Sequence, residues 1–277
     1  MSIPIELGAN EVTCMDTTDA RTLAHAYIDQ AIAVAERVRA TQLDTMHRVA
    51  KRCADTIHRG DLVHLFGTGH SRMAVEEVFP RYGSFPGFHP IVELSMTHHT
   101  QVVGANGQRQ AMWIERQEGL AEVILANFAF RTGDVMMVFS TSGTNAVVVE
   151  VAQIAKRNGM QVVAVIAAEY ARQLPATHSS GQKLSDVADD VIDNGALPGD
   201  AMIDVPGVDG RVGPGSTIGN TVVVNAMKVM TAAYLAELGD PPTVLSSAYE
   251  IGAEASRARF EAAYDEYRRR VKVVYGD

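Results

Sequence analysis

Cysteine is almost missing from this chain of 277 residues, which contains only Cys14 and Cys53. Two cysteines without a CxxC spacing exclude a disulfide framework and a thiolate zinc site. The start of the chain also lacks a basic segment followed by an apolar run, and polar residues interrupt the most apolar predicted helix, 217–238. We therefore expect a cytoplasmic protein with no export signal and no membrane span.

Positive charge is also in short supply. The chain has 24 Lys and Arg residues against 33 Asp and Glu, which gives a formal net charge of -9. Polyanions select basic surfaces, so this balance argues against nucleic acid and anionic membranes as partners. A small phosphate ligand stays compatible with it, because backbone amides and hydroxyl groups can bind phosphate locally.

The chain has enough apolar residues, 47% of the total, to bury a sizeable core. Apolar residues at helical spacing predict helices over the first sixty residues, and five short apolar runs predict buried parallel strands. These runs cover 61–66, 88–94, 134–140, 161–167 and 189–194. Two predicted helices, 216–238 and 247–274, close the chain. We predict one domain with three parts, namely an N-terminal helical arm (1–60), an α/β core (61–195), and a Gly- and Pro-rich loop with C-terminal helices (196–277).

Five parallel strands with helical crossovers favour a flavodoxin-like three-layer sandwich with strand order 2-1-3-4-5. In that order the chain reverses direction between strands 1 and 3, and ligands bind at such a switch point. The loops that follow these two strands are Gly67 to Ser71 and Ser140 to Asn145. Each loop opens a helix, whose free N–H groups and positive dipole end favour an anion.

These two loops carry the residues that we expect to bind phosphate, since their hydroxyl and amide groups donate hydrogen bonds. The predicted residues are Gly69, His70, Ser71, Ser140, Thr141, Ser142, Thr144 and Asn145. Simple helix capping by Ser and Asn is one alternative. A dinucleotide loop of the form G-x-G-x-x-G is another, with Glu93 as its ribose-binding acid. Arg72 stands in place of the third glycine, which weighs against the dinucleotide loop.

Two segments resemble the SIS, or sugar isomerase, domain family. "FSTSGTNAVVVEVAQIAKRNGMQVVAVI" is similar to its strand, Ser-x-Ser-Gly-x-Thr/Asn loop, helix and next strand, and "FGTGHSRMAVEEVFPRYG" is similar to its first loop and helix. A later segment, "HSSGQKLSDVADDVIDNGALPGDA", resembles a little-characterised bacterial subfamily. The resemblance implies phosphosugar binding, commonly with aldose–ketose isomerisation as in phosphoheptose isomerase. It also implies homodimers or homotetramers whose sites share residues between subunits.

The resemblance further implies roles for particular residues. In phosphoheptose isomerases a glutamate in the matching "EE" segment moves the proton, which points to Glu77 here. A carboxylate whose pKa is raised by partial burial suits that chemistry. In the same family a loop lies over the sugar, and the matching residues are Ser179, Ser180 and Lys183.

The family's second catalytic group is a histidine on the long helix after the fifth strand, where this chain has Asn225 and Lys228. We expect His98 and His99, which follow strand 2, to take that role. His70 and His178 are the other candidates. Adjacent histidines project apart and no H-x-x-x-H spacing occurs, so we expect no metal, and we expect no cofactor.

The predicted function is binding of a sugar phosphate with aldose–ketose isomerisation. Two alternatives stay open: a phosphosugar sensor without turnover, and a lyase, etherase or deaminase that acts on an amino-sugar phosphate. Apolar residues surround the helix 216–238, and one face of a sheet cannot cover all of them. This predicts a homodimer, unless the N-terminal helices of the same chain supply the cover.

Overall fold

The computed structural model describes residues 17–97 and 107–276 of the chain. Its central sheet has five parallel strands, which are β1 (Val63–Gly67), β2 (Phe88–Ile91), β3 (Val135–Phe139), β4 (Gln161–Ile166) and β5 (Asp190–Asp193). Their order is β2-β1-β3-β4-β5, which confirms the flavodoxin-like topology predicted from the sequence. A short antiparallel hairpin of β6 (Ile203–Asp204) and β7 (Arg211–Val212) lies in the Gly- and Pro-rich stretch, where we predicted only a connection.

Helices precede, connect and follow these strands. They are α1 (Thr17–Thr41), α2 (Leu43–His58), α3 (Arg72–Val78), α4 (Gln108–Ile114), α5 (Leu120–Leu125), α6 (Ala146–Arg157), α7 (Ala168–Gln173), α8 (Leu184–Val187), α9 (Ser216–Glu237), α10 (Ala248–Ile251) and α11 (Ala253–Val271). The last predicted helix is divided, because Gly252 at φ +86° separates α10 from α11. Within the described ranges, no helix combines the length and the hydropathy that a bilayer crossing requires.

Alternate strand residues face two covering layers of helices. On one side of the sheet, Leu65, Met137 and Val165 belong to a buried cluster that includes residues of α2 and α9. On the other side, Phe66 and Val138 pack with residues of α5 and α6. Strands covered on both faces are expected to be apolar throughout, as β1 and β3 nearly are. The arm helix α2 therefore shares a core with the sheet, and the organisation as one domain with three parts stays a prediction.

The apolar helix α9 receives cover from its own chain. It packs against α1, α2 and α3, so the N-terminal helices supply part of the cover, as the alternative to a homodimer requires. Val229 on α9 nevertheless stays 71% exposed. On α1, Ile28 and Ile32 are also exposed.

A buried chain of hydrogen bonds joins β1, β2 and the C-terminal turn. His64 and His89 pair across these strands, and their Nδ1 atoms are 2.9 Å apart. His64 Nε2 lies 3.2 Å from Asp134 Oδ2, so it donates there and leaves Nδ1 to accept from His89. His89 Nε2 then accepts from the Tyr275 hydroxyl, 3.3 Å away. Burial, with His64 beside the ring, lowers the pKa of His89 to about 3, which keeps this ring neutral.

Candidate functional site

The loops after β1 and β3 meet at the carboxyl edge of the sheet and enclose a cavity of about 420 Å³. This is the switch point at which the topology predicts a ligand. The residues of the predicted phosphate site that line the cavity are Gly69, His70, Ser71, Ser140, Thr141, Ser142 and Asn145. The structure therefore brings both predicted loops to one place, and their binding of phosphate stays a prediction.

The Ser140–Asn145 loop leaves the N-terminus of α6 open to the cavity. Gly143 turns the chain at φ +66°, a conformation that residues with a Cβ seldom adopt, and its N–H donates to Ser140 Oγ at 3.0 Å. Asn145 precedes α6, but its side chain makes no capping hydrogen bond. Within residues 17–97 and 107–276, the N–H groups of Ser142 and Asn145 have no protein acceptor. These amides are available to an anion.

Thr144, which we also expected to bind phosphate, lies behind the loop and not in the cavity wall. It is 6% exposed. Its Oγ1 donates to Ser142 Oγ at 3.2 Å, and its N–H approaches the same oxygen at 3.4 Å. Because Ser142 Oγ accepts both, its own proton is free to point into the cavity. Thr144 thus orients Ser142.

Glu115, which was not among the predicted site residues, supplies a carboxyl group to the cavity. The residue follows α4 and is half-buried between the two loops, where Thr68 Oγ1 donates to its Oε2 at 2.9 Å. Burial raises the pKa of Glu115, although hydrogen bonds from Thr68 and Asn145 and the charge of Arg116 act against the rise. Its carbonyl accepts from Val147 N at 3.2 Å. A carboxyl group of raised pKa beside both ligand loops is suited to accept and return a proton.

Six further residues that line the cavity were not among the predicted site residues. They are Thr68, Tyr170, Asp200, Pro214, Ser216 and Thr217. Asp200 has φ +54° and accepts from Gly215 N at 3.1 Å and from Ser216 N at 2.7 Å. Asp200 therefore occupies the N-terminal end of α9, whereas the N-terminal end of α6 is open to the cavity. None of the described residues that line the cavity is Lys or Arg.

Glu77, the predicted proton acceptor, lies in a different cavity of about 540 Å³. The other residues of that cavity are Arg72, Met73, Glu76, Arg81 and Tyr82. Asn225 Nδ2 donates to Glu77 Oε1 at 2.9 Å, and Arg81 pairs with the other oxygen. Burial acts to raise the pKa of Glu77, but the hydrogen bonds from Asn225 and Arg81 outweigh it and lower the pKa. The pKa of Glu77 is therefore lowered, whereas we expected a proton acceptor to have a raised pKa.

The α9 residues that replace the expected histidine have a structural partner. Asn225 binds the Glu77 side chain, and Lys228 Nζ donates to the Glu77 carbonyl at 2.9 Å. These two hydrogen bonds join α3 to α9.

Ser179, Ser180 and Lys183 do not line the cavity of the two loops. Ser179 and Ser180 belong to a cluster around His178. Lys183 Nζ donates to the carbonyls of Ala171 at 2.9 Å and Leu174 at 3.1 Å, at the end of α7. These three side chains have protein partners in the structure, and their contact with the sugar stays a prediction.

His98 and His99 lie outside the described residues. Within the described ranges, no group of three or more His, Cys, Asp or Glu side chains could hold a metal ion.

Cys53 is buried, which raises the pKa of its thiol to about 12, so it is not a thiolate at neutral pH.

Comparison with known proteins gives matches over most of the chain. A family model described as the SIS domain matches residues 26–167. A UPF0309 protein of Listeria monocytogenes serotype 4b (strain CLIP80459) is 32% identical over 251 residues, which cover 90% of this chain and 97% of that protein. A UPF0309 protein of Geobacillus kaustophilus is 35% identical over 233 residues, which cover 83% of this chain and 90% of that protein.

Solved structures are more distant. The phosphoheptose isomerase GmhA from Neisseria gonorrhoeae has a TM-score of 0.49 and 16% identity, covering 78% of this chain and 100% of that chain. The Vibrio vulnificus NanR protein, complexed with ManNAc-6P, has a TM-score of 0.44 and 12% identity, covering 89% of this chain and 69% of that chain. At these scores the observed strand order, and not the likeness, identifies the fold.

Proposed function

This chain belongs to the SIS domain family and to the UPF0309 proteins, and on that basis we propose that it binds a sugar phosphate and isomerises it between aldose and ketose. The phosphate group binds at the N-terminus of α6, and Glu115 moves the proton. One observation carries this proposal: an open anion-binding loop and a carboxyl group of raised pKa share one cavity.

Neutral donors suffice to hold the phosphate. The free amides of Ser142 and Asn145 and the hydroxyls of Ser140 and Ser142 converge on the same wall of the cavity. The positive end of α6 adds to them, so a lysine or arginine is unnecessary. The cavity volume of about 420 Å³ lies in the range typical of small-molecule sites.

Isomerisation requires a proton to move between C1 and C2 of the open-chain sugar. The Glu115 carboxylate removes the C2 proton while the C1 carbonyl oxygen gains a proton, which gives an enediol. Return of the proton from Glu115 to C1, with loss of the proton from O2, gives the ketose. His70 and Tyr170 line the same cavity and are the candidates to exchange protons with the two oxygens.

Glu77 has a different role in this proposal. Its hydrogen bonds to Asn225 and Arg81 and the contact of Lys228 with its carbonyl support a function in joining α3 to α9. Glu77 and Glu115 therefore form a matched pair of carboxylates for an experiment, because only Glu115 lines the cavity of the two loops.

The test is deuterium incorporation from D2O into a panel of aldose and ketose phosphates, followed by NMR. We expect wild-type protein to exchange hydrogen at C1 or C2 of at least one sugar phosphate. Glu115→Gln should lower the exchange rate by a factor of about 100 or more, whereas Glu77→Gln should keep most of it. Loss of exchange in Glu77→Gln with normal exchange in Glu115→Gln would reverse the two roles.

Other outcomes separate the alternative functions. If sugar phosphates bind and no proton exchanges, the protein is a phosphosugar-binding module without turnover. Release of ammonia or lactate from an amino-sugar phosphate identifies a deaminase or an etherase instead. Either result contradicts the isomerase proposal.

A further inference from the structure

His178 lies at the centre of a side-chain cluster in the loop that follows α7. Its side chain is only 8% exposed. Its Nε2 lies 3.5 Å from Glu150 Oε1 and 3.9 Å from Glu118 Oε2, and its Nδ1 lies 2.7 Å from Ser180 Oγ. The ring therefore stands between two carboxylates and a hydroxyl.

The hydrogen bonds determine which ring nitrogen carries the proton. The backbone N–H of Ser180 lies 3.1 Å from Nδ1 and can only donate. Nδ1 of the neutral His178 ring is therefore the acceptor, and the proton is on Nε2. That nitrogen lies on the side of the ring that faces the carboxylates of Glu150 and Glu118, at 3.5 Å and 3.9 Å.

Both carboxylates hold the chain immediately after Glu115. Glu150 Oε1 accepts from Gly119 N at 2.6 Å. Glu118 accepts from the backbone N–H of Ser179 at 2.6 Å and from its hydroxyl at 2.5 Å. The turn 115–119 is thereby bonded to α6 and to the loop that carries His178.

That loop also holds the phosphate-binding loop. Thr177 Oγ1 donates to the Thr144 carbonyl at 2.6 Å, and Leu184 N donates to the Gly143 carbonyl at 2.8 Å. The segment 177–184 is therefore bonded on one side to the Ser140–Asn145 loop and on the other to the turn that follows Glu115.

We propose that His178 is a positioning residue that keeps Glu115 between the two ligand loops by joining Glu118 and Glu150 to the segment 177–184. The importance of this position for a reaction rests on the proposed function, in which Glu115 moves the proton. Without the ring, the carboxylates of Glu118 and Glu150 lose the imidazole that lies between them, the turn 115–119 is held less firmly, and water gains access to the Glu115 carboxyl. Burial is what raises the pKa of this carboxyl, so its pKa then falls toward the ordinary value.

The experiment measures Glu115 directly and needs no substrate. The carboxyl carbon of Glu115 is followed by ¹³C NMR through a pH titration of the full-length protein, with Glu115→Gln to assign the signal. We expect His178→Leu to lower the pKa of Glu115 by about half a unit or more. His178→Gln keeps an N–H donor toward the carboxylates and should restore most of the wild-type value. His58→Leu is the control, because His58 also pairs with a carboxylate, that of Asp240, but lies at the end of α2.

An unchanged Glu115 pKa in folded His178→Leu overturns the proposal. If that variant does not fold, Glu118→Ala takes its place, since Glu118 is exposed, accepts hydrogen bonds from Ser179 and lies 3.9 Å from the His178 ring nitrogen. It should lower the pKa in the same direction, and an unchanged value again refutes the role. If the pKa of Glu115 shifts in the variant but wild-type protein exchanges no proton in sugar phosphates, the proposed function alone is refuted. If wild-type protein exchanges protons but the pKa of Glu115 does not shift in the variant, the role of His178 alone is refuted.

Discussion

Mild acid should destabilise this protein through His89. In the folded state, burial and the neighbouring His64 lower the pKa of His89 from 6.5 to about 3. In the unfolded chain the ring binds a proton as the pH falls through 6.5, whereas the folded ring stays neutral until the pH is near 3. The unfolded state thus binds more protons in this interval, so the free energy of unfolding decreases as the pH falls.

The size of the effect follows from the shift. In this interval, lowering the pH by one unit lowers the free energy of unfolding by about 1.4 kcal/mol. A change from about pH 6.5 to pH 5 therefore removes roughly 2 kcal/mol of stability. Solvent screening reduces this little, because the residue is 1% exposed. Asp134 and Asp189, whose pKa values are lowered from 3.8, affect stability only at lower pH. Glu115 acts with the opposite sign, because its pKa is raised.

Urea unfolding of wild type and His89→Gln across this pH range isolates the contribution of His89. Glutamine does not titrate, and its amide can still donate to His64 and accept from Tyr275. Titratable groups that do not contact position 89 are common to both proteins, so their contributions cancel in the difference. The stability advantage of wild type over the variant should shrink by roughly 2 kcal/mol between about pH 6.5 and pH 5. Parallel curves for the two proteins would contradict this role of His89.

Three further predictions concern the site and the assembly. Thr68→Val removes a hydrogen bond that lowers the pKa of Glu115, so the acidic limb of the pH profile of proton exchange should move to higher pH. Gly143→Ala places a Cβ at φ +66°, which should cost roughly 1 kcal/mol of stability and weaken sugar phosphate binding in calorimetry. Light scattering at micromolar concentration should give twice 29.8 kDa for the predicted homodimer, and a mass of 29.8 kDa contradicts it.

The sheet and the two loops that line the cavity were predictable because their signals are local. Buried parallel strands read as uninterrupted apolar runs, and the Gly- and Ser-containing loops follow directly after β1 and β3. Once five such strands are identified, the commonest topology brings these loops together. The hairpin of β6 and β7 has strands of two residues each, too short to produce an alternating pattern.

The carboxylate of the cavity could not be chosen from the sequence. Glu115, Glu118 and Glu122 lie close together in the chain, and nothing in their spacing distinguishes the one that enters the cavity. Glu115 is distinguished by its contacts with Thr68 and Asn145, which come from two loops distant in the chain. The lowered pKa of Glu77 depends in part on Asn225, 148 residues away in the chain. Interactions of this kind are set by tertiary packing and leave no local pattern.

The most direct test of phosphate binding at the N-terminus of α6 is calorimetry with sugar phosphates on two serine variants. Ser142→Ala removes a donor in the cavity wall, and Ser247→Ala removes a hydroxyl at the start of α10, outside the cavity. We expect Ser142→Ala to weaken binding by about 1.5 to 3 kcal/mol, or roughly 10- to 100-fold in Kd, because the acceptor is charged. Ser247→Ala should bind sugar phosphates as wild type does. Equal affinities of Ser142→Ala and wild type would contradict the account and place the phosphate site elsewhere.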